Sequence, residues 1–245
     1  MKIFLFGYGK MGKEIEKMAL SRGHEITGIY DPYFVFKFDS KAFENADIVI
    51  DFTTPGSAVY NIIKCFEANK PIVVGTTGWY HEFEEVENQC KKHNGALFYA
   101  SNFSIGVHVM LKACELLAKM VNQYKSYKIS ISEAHHEHKK DAPSGTAITI
   151  ANTMLRELDS YKEWKAYPDH SDARPDAGIL PVYYHREGEI VGIHEVSIES
   201  DIDRIVIEHE AFSRAGFATG TLIATEWLIG KKGIYTMQHL FDNNK

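Results

Sequence analysis

The sequence is poor in cysteine. It has three, Cys65, Cys90 and Cys114, scattered over 245 residues. The number is odd and no CxxC pair occurs, which argues against a disulfide framework and against a zinc ribbon. Long apolar runs are missing too, and none approaches the roughly 20 residues of a membrane span. The opening apolar run, residues 2–6, meets Gly7 too early to act as a signal-peptide core. Positive charge is not in excess: 27 Lys and Arg stand against 33 Asp and Glu, for a net charge of −6. No basic face is implied, so neither nucleic acid nor a membrane is an expected partner. Internal repeats and low-complexity segments do not occur. What remains is 44% apolar and 24% charged, an ordinary globular composition. The length suits one large domain or two small ones, and the expected compartment is a reducing cytoplasm.

The first informative stretch is Gly7-Tyr8-Gly9-Lys10-Met11-Gly12, directly after the apolar run. The spacing predicts an amphipathic helix over 13–22, with Ile15, Met18 and Ala19 on one face, and Gly23 as its stop. A second strand over 25–30 ends in Asp31, 19 residues past Gly12. This is the dinucleotide fingerprint in its setting. The glycines allow a tight turn, close approach of the backbone to pyrophosphate, and close helix–strand packing. The acid can accept hydrogen bonds from a ribose. A glycine-rich turn in another α/β protein is the plain alternative. Strand and helix then alternate: strand 47–53, helix 57–68, strand 71–74, helix 80–93, strand 96–100. That alternation predicts a parallel, doubly wound (Rossmann) sheet. Small polar residues close its strands at Gly75-Thr76-Thr77-Gly78 and Ser101-Asn102-Phe103-Ser104, where ligands of such sheets bind.

After Ser104 the texture changes to a long helix, 105–123, a strand, 127–132, and then Glu133-Ala134-His135-His136-Glu137-His138-Lys139-Lys140-Asp141-Ala142-Pro143-Ser144-Gly145-Thr146. This reads as a strand-to-helix loop, its helix running over 146–158. Residues 133–141 hold three imidazoles, two ammonium groups and three carboxylates. Histidine exchanges protons near neutral pH and lysine holds or hands over charge. The helix start after Pro143 offers backbone N–H groups, which bind carboxylate or phosphate. A solvated charged loop is the plain alternative. Zinc on His136 and His138 is another, disfavoured by Lys139 and Lys140 beside them. Residues 159–178 carry little pattern. From 179 strands dominate: 180–186 and 190–198 flank Glu187-Gly188-Glu189, a hairpin signal, and 204–212 follows. This block reads as a second, α+β domain with a mixed or antiparallel sheet. Residues 216–228 are helical and the tail is expected to return to the first domain. The expected division is 1–104 with 215–245 for dinucleotide, and 105–214 for substrate and oligomerisation.

Taken together, these segments resemble the 4-hydroxy-tetrahydrodipicolinate (dihydrodipicolinate) reductase family over nearly the whole chain. The most specific part is the run from Glu133 to Ala147. Gly75 to Gly78, Ser101 to Ser104, Gly192-x-His194 and Gly233-x-Tyr235-x-Met237 also look like family segments in family order. The resemblance implies an NAD(P)H-dependent reductase of diaminopimelate and lysine biosynthesis, acting on a small dicarboxylate without a metal, and a homotetramer built through the second domain's sheet. It puts His135 on the family's acid and Lys139 on its catalytic lysine. His136 falls on a substrate contact, and Ser144, Gly145 and Thr146 on the substrate carboxylate site. Gly7, Tyr8, Gly9, Lys10, Met11, Gly12, Asp31, Gly75, Thr76, Thr77, Ala100, Ser101, Asn102 and Phe103 fall on cofactor positions.

Two departures bear on the cofactor. The glycine loop is shorter than in many members, and Pro32 and Tyr33, rather than a basic residue, follow Asp31. NADH is therefore expected to be preferred, with NADPH used less; Lys37 and Lys10 are the candidate cations for a 2′-phosphate. The rival readings are a two-domain sugar or amino-acid dehydrogenase, whose Glu-Lys-Pro triad is missing here, and a nucleotide-sensing module without turnover.

Overall fold

The computed structural model describes residues 1–33, 38–169 and 175–242. The chain divides into two compact units, Met1–Ser104 with Arg214–Lys245, and Ile105–Ser213. The first segment supplies β1 (Lys2–Phe6), α1 (Lys10–Ser21), β2 (Glu25–Tyr30), α2 (Ser40–Glu44), β3 (Ile48–Asp51), α3 (Pro55–Glu67), β4 (Ile72–Val74), a 3-10 turn (Tyr80–Glu82) leading into α4 (Phe83–His93), and β5 (Ala96–Tyr99). The second unit supplies α5 (Ile105–Val121), β6 (Lys128–His135), α6 (Gly145–Leu155), β7 (Glu163–Pro168), β8 (Ile179–Arg186), β9 (Ile193–Glu199) and β10 (Arg204–Glu210). The closing segment adds α7 (Ala215–Leu228), β11 (Gly233–Tyr235) and α8 (Met237–Asp242).

In the first unit the strands pair in the order β11-β5-β4-β3-β1-β2, all parallel. This is the expected doubly wound sheet. Alternation along β1 sends Phe4 and Phe6 to one face, where they join Val49, Ile72, Val74 and Leu97 under α3 and α4. In α3 the buried positions Ala58, Val59, Ile62, Cys65 and Phe66 recur at helical spacing. Each large side chain so buried contributes about 1.5–3 kcal/mol. α1 packs on α7, and α7 in turn contacts β4 and β5. The order reverses between β1 and β3, so the carboxyl ends of those two strands form the switch point where such sheets bind ligands. α1 begins at Lys10, three residues before the predicted start, so Lys10, Met11 and Gly12 form its first turn. The spacing of apolar residues marks the buried face of a helix, not the turn in which the glycine loop already coils.

The second unit is a mixed sheet, ordered β10-β9-β6-β8-β7. β6 runs parallel to β8 and antiparallel to β9. Its inward positions Ile129 and Ile131 meet Val182, Val196 and Ile198 under α5 and α6, in one core with Met110, Cys114, Ile150 and Met154. The hairpin expected at residues 187–189 does not form, because β6 lies between β8 and β9. The connecting chain instead clasps the end of β6: Glu187 N donates to His135 O (2.9 Å) and His136 N to Ile190 O (2.8 Å). β6 also outruns its prediction by three residues. Glu133 and His135 continue its inward alternation, so they are strand residues and not loop residues. β7, an edge strand with little apolar alternation, and the five-residue α2 had no clear sequence signal.

Candidate active site

The glycine loop leaves β1 at the switch point. Gly7 has φ +90°, which favours glycine, and a Cβ there would collide with the Phe52 carbonyl oxygen. A Cβ on Gly12 would strike the Gly7 carbonyl oxygen, so α1 packs closely under the turn. Gly9 is the N-cap of α1. Among the described residues no side chain caps this helix, and no acid lies in its first turn. The first N–H groups, with exposed Gly9 and Lys10 above them, make a cradle that fits an anion. Tyr8 turns away from that opening: its hydroxyl donates to Glu16, and Lys13 Nζ lies 5.7 Å from its ring centre. Asp31 is buried, accepting from Tyr8 N (2.6 Å) and Tyr33 N (2.8 Å). It therefore ties the glycine loop to the end of β2. Lys37 lies outside the described residues.

Thr76, at the end of β4, is buried with its hydroxyl on Asp51 (2.6 Å), while Thr77 is exposed. Of this pair only Thr77 presents its side chain outward. Ala100 and Phe103 are buried and Ser101 is exposed beyond β5. Asn102 Oδ1 accepts from Ser104 N (2.8 Å), which folds that turn on itself. Gly220 of α7 presses so closely on Phe103 O that a Cβ there would collide with it.

In the second unit the register brings four polar side chains to the inner face of the sheet, beyond its apolar core. Glu133 stands opposite His194 on β9, and His135 opposite Arg186 on β8. Glu133 is wholly buried at its side chain. It pairs with His135 Nδ1, and Arg186 donates to it twice, at 2.8 and 3.1 Å. Ser144 N also donates to it (3.1 Å). Burial alone raises this carboxyl; the hydrogen bonds and charges of His135 and Arg186 outweigh burial and hold it down to about 2. Glu133 is thus a carboxylate at neutral pH that fixes one nitrogen of His135. The other, Nε2, faces Gly192, where a Cβ would stand 3.0 Å away. His194 is buried with its ring 5.1 Å from that of His135. Burial, reinforced by His135, holds the His194 imidazole down to about 3, so it is neutral. Its Nε2 meets Ser144 Oγ at 2.9 Å, and its Nδ1 has no partner among the described residues.

Ser144 is the N-cap of α6 and its Oγ also accepts from Ala147 N (3.2 Å). Its polar atoms therefore face inward, whereas Gly145 is exposed and a Cβ there would meet nothing within 4 Å. Thr146 is half-buried. Lys139 Nζ donates to both carboxylate oxygens of Asp141, at 2.7 and 2.8 Å. His136 and His138 have ring centres 6.3 Å apart. The grouping within 4.8 Å that has metal-ligand geometry is instead Glu133, His135 and His194. Its carboxylate is already neutralised by Arg186, which makes it a poor host for a dication. Arg186 and His194 were not assigned roles from sequence. A signal for His194 exists: it occupies the same inward frame as Val196 and Ile198, where a polar residue is out of place.

A doubly wound sheet with an open glycine cradle at its switch point, in one chain with a mixed sheet carrying a buried acid–imidazole pair, defines a two-unit oxidoreductase of the dinucleotide-binding kind. Comparison with known proteins gives the family. The family described as dihydrodipicolinate reductase, N-terminus, matches residues 1–103, and its C-terminus counterpart matches residues 106–241. A 4-hydroxy-tetrahydrodipicolinate reductase of Christiangramia forsetii is 40% identical over 99% of this chain and 98% of its own length. The enzyme of that name from Staphylococcus carnosus is 36% identical over 99% of each chain. A solved structure titled as dipicolinate-bound dihydrodipicolinate reductase, from Paenisporosarcina sp. TG-14, shares the fold with a TM-score of 0.78 at 20% identity, covering 96% of this chain and 97% of its own. The chain belongs to the dihydrodipicolinate reductase family, a family of NAD(P)H-dependent reductases.

Proposed function

We propose that the chain reduces 4-hydroxy-tetrahydrodipicolinate to tetrahydrodipicolinate, in diaminopimelate and lysine biosynthesis. The observation that carries the reading is His135, fixed at the end of β6 by Glu133, which Arg186 holds in turn, with a helix start beside it. The nicotinamide, when bound, supplies hydride; water leaves the substrate. Hydride addition leaves electron density on the substrate, and a positioned acid must meet it with a proton. His135 is that acid, because Glu133 occupies Nδ1 and leaves Nε2 to donate. Lys139 adds positive charge for a dianionic ligand, with Asp141 fixing its ammonium. Gly145 and Thr146, at the start of α6, receive a carboxylate on backbone N–H groups, and His136 adds a further contact. Ser144 supports this site from within, through Glu133 and His194. The test is oxidation of NADH and NADPH coupled to substrate made in situ. A protein inert with that substrate under both cofactors would sink the proposal.

The dinucleotide is assigned to the cradle of Gly7, Gly9 and Gly12, with Lys10, Met11, Thr77 and Ser101 around the same strand ends. NADH is proposed as the preferred cofactor. Asp31 sits where an acid accepts from the adenine ribose. A 2′-phosphate there brings like charges together, and neither Pro32 nor Tyr33 offsets them. Residual repulsion of about 1.4 kcal/mol gives roughly tenfold discrimination. The ratio of kcat/KM for the two cofactors, at one ionic strength, checks this. An advantage for NADPH would refute it and point to Lys10 or Lys37.

The working state is proposed to be a homotetramer in the cytoplasm, joined through the second unit's sheet. Support comes from β10, whose outer edge pairs with no strand among the described residues. It exposes Ile205 and Val206, near Ile202 and Phe212 in sequence. Light scattering after gel filtration decides the assembly; a monomer would overturn it.

A further inference from the structure

Asp51 ends β3 at the switch point and is fully buried. It makes no ion pair among the described residues. Its carboxylate instead gathers hydrogen bonds. Thr53 N (3.1 Å), Thr53 Oγ1 (2.8 Å) and Thr76 Oγ1 (2.6 Å) donate to one oxygen, and Asn61 Nδ2 (2.7 Å) donates to the other. Thr76 is further held at its carbonyl by the indole N–H of buried Trp79 (2.8 Å). Burial raises the Asp51 carboxyl above its ordinary value, and the hydrogen bonds from Thr76, Asn61 and Thr53 offset only part of that rise. A buried carboxylate without a cation is costly, so its surroundings must reward it with well-made hydrogen bonds.

What Asp51 holds is the floor under two turns. Gly7 lies against the Phe52 carbonyl and the Thr53 methyl, and Gly75 lies against the Phe52 ring. Thr53 and Thr76 come from the ends of β3 and β4, and the same carboxylate oxygen takes both hydroxyls. Turning Thr76 inward is what leaves Thr77 outward. An amide at position 51 would keep one acceptor only, and no acceptor would leave two threonine hydroxyls without their anchor.

We propose that Asp51 is a positioning residue for the dinucleotide: its buried carboxylate fixes Thr53 beneath the glycine loop and Thr76 behind Thr77, and so sets the shape of the cofactor cradle. The inference rests on the assignment of the dinucleotide to the first unit. The experiment is titration of NADH by fluorescence well below the melting temperature, with substrate kinetics alongside. Asp51→Ala should raise the NADH dissociation constant by about tenfold, the scale of one lost buried hydrogen-bond set. The KM for the dicarboxylate substrate at saturating cofactor should stay within about twofold, because that site belongs to the second unit. Asp51→Asn, which keeps an acceptor toward Thr53 and Thr76 once the Asn61 amide turns round, should recover most of the loss. Thr76→Val removes the donor to Asp51 and the acceptor of Thr53 N (2.7 Å) at almost constant volume and should weaken NADH by about threefold to tenfold, serving if the alanine variant does not fold. A purely structural role would lower the melting temperature and leave NADH affinity unchanged in the folded variants, and that result overturns the proposal. So does an asparagine variant as weak as alanine. Wild-type protein that bound no dinucleotide would defeat the cradle assignment itself, before any variant was made.

Discussion

His135 is a weak reagent until something decides which nitrogen carries its proton outward. Here Glu133 decides, and the hydrogen bonds of His135 and Arg186 keep Glu133 ionised inside the unit. In the proposed reaction His135→Gln should lower turnover by about 10²-fold or more, the scale of lost acid catalysis. Glu133→Gln leaves the imidazole in place but removes the anion that orients it, and should cost about tenfold to a hundredfold in kcat. NADH affinity should hold in both, since neither residue belongs to the unit proposed to take the dinucleotide. Stopped-flow turnover with a parallel NADH titration reads both quantities, and near-normal turnover in either variant would reject its assigned role. His135 and Lys139 were readable from sequence because they stand in one short charged run. Arg186 lies 51 residues from His135, and only the pairing of β8 with β6 makes them neighbours. Asp51 ends an apolar strand, and its burial depends on hydroxyls from a different strand.

At the scale of elements, the start of α6 divides its labour. Ser144 faces inward, to Glu133 and His194, and Gly145 faces solvent. Its backbone accepts a larger residue, since a Cβ there would meet nothing within 4 Å. Gly145→Val should therefore leave the fold intact, because valine is no worse than glycine in a helix. It should crowd an approaching carboxylate and raise the substrate KM by about tenfold, with a smaller effect on kcat. An unchanged KM would move the carboxylate site elsewhere. Element identity was mostly legible, because apolar alternation and helical spacing report burial directly. Neighbour relations were less so. Glu187-Gly188-Glu189 has turn chemistry, and turn chemistry does not say that the flanking strands pair. β6, whose inward alternation runs its whole length, pairs with both of them instead. β7 escaped notice because four of its six residues are exposed, leaving only Trp164 and Tyr167 as partly buried positions.

For the whole molecule, the buried imidazoles set the response to acid. His194 is held down to about 3 in the folded chain, against an ordinary 6.5, and burial lowers His209 as well. Between those values the unfolded chain takes up a proton that the folded chain refuses. The stability contributed by neutral His194 is thus fully present above about pH 6.5 and is lost as pH falls toward 3. The His194 proton costs roughly 1 to 1.5 kcal/mol of stability per pH unit in that window. Glu133 acts lower down: its carboxyl sits at about 2 against 4.5, so its contribution fades only below about pH 4.5. Glu226, paired with Arg22 and His24 in the first unit, is lowered too, but it is a third exposed and solvent screening makes its share small. The second unit should therefore weaken on mild acidification, between pH 6.5 and 5, where Glu133 is still a carboxylate. Calorimetry across pH 7 to 5 should show falling stability. His194→Gln should be less stable at pH 7, because the buried imidazole that meets the Ser144 hydroxyl is lost, yet should show a flatter fall. A variant with the same slope as the parent would mean that His194 does not carry the effect, and would shift it to His209.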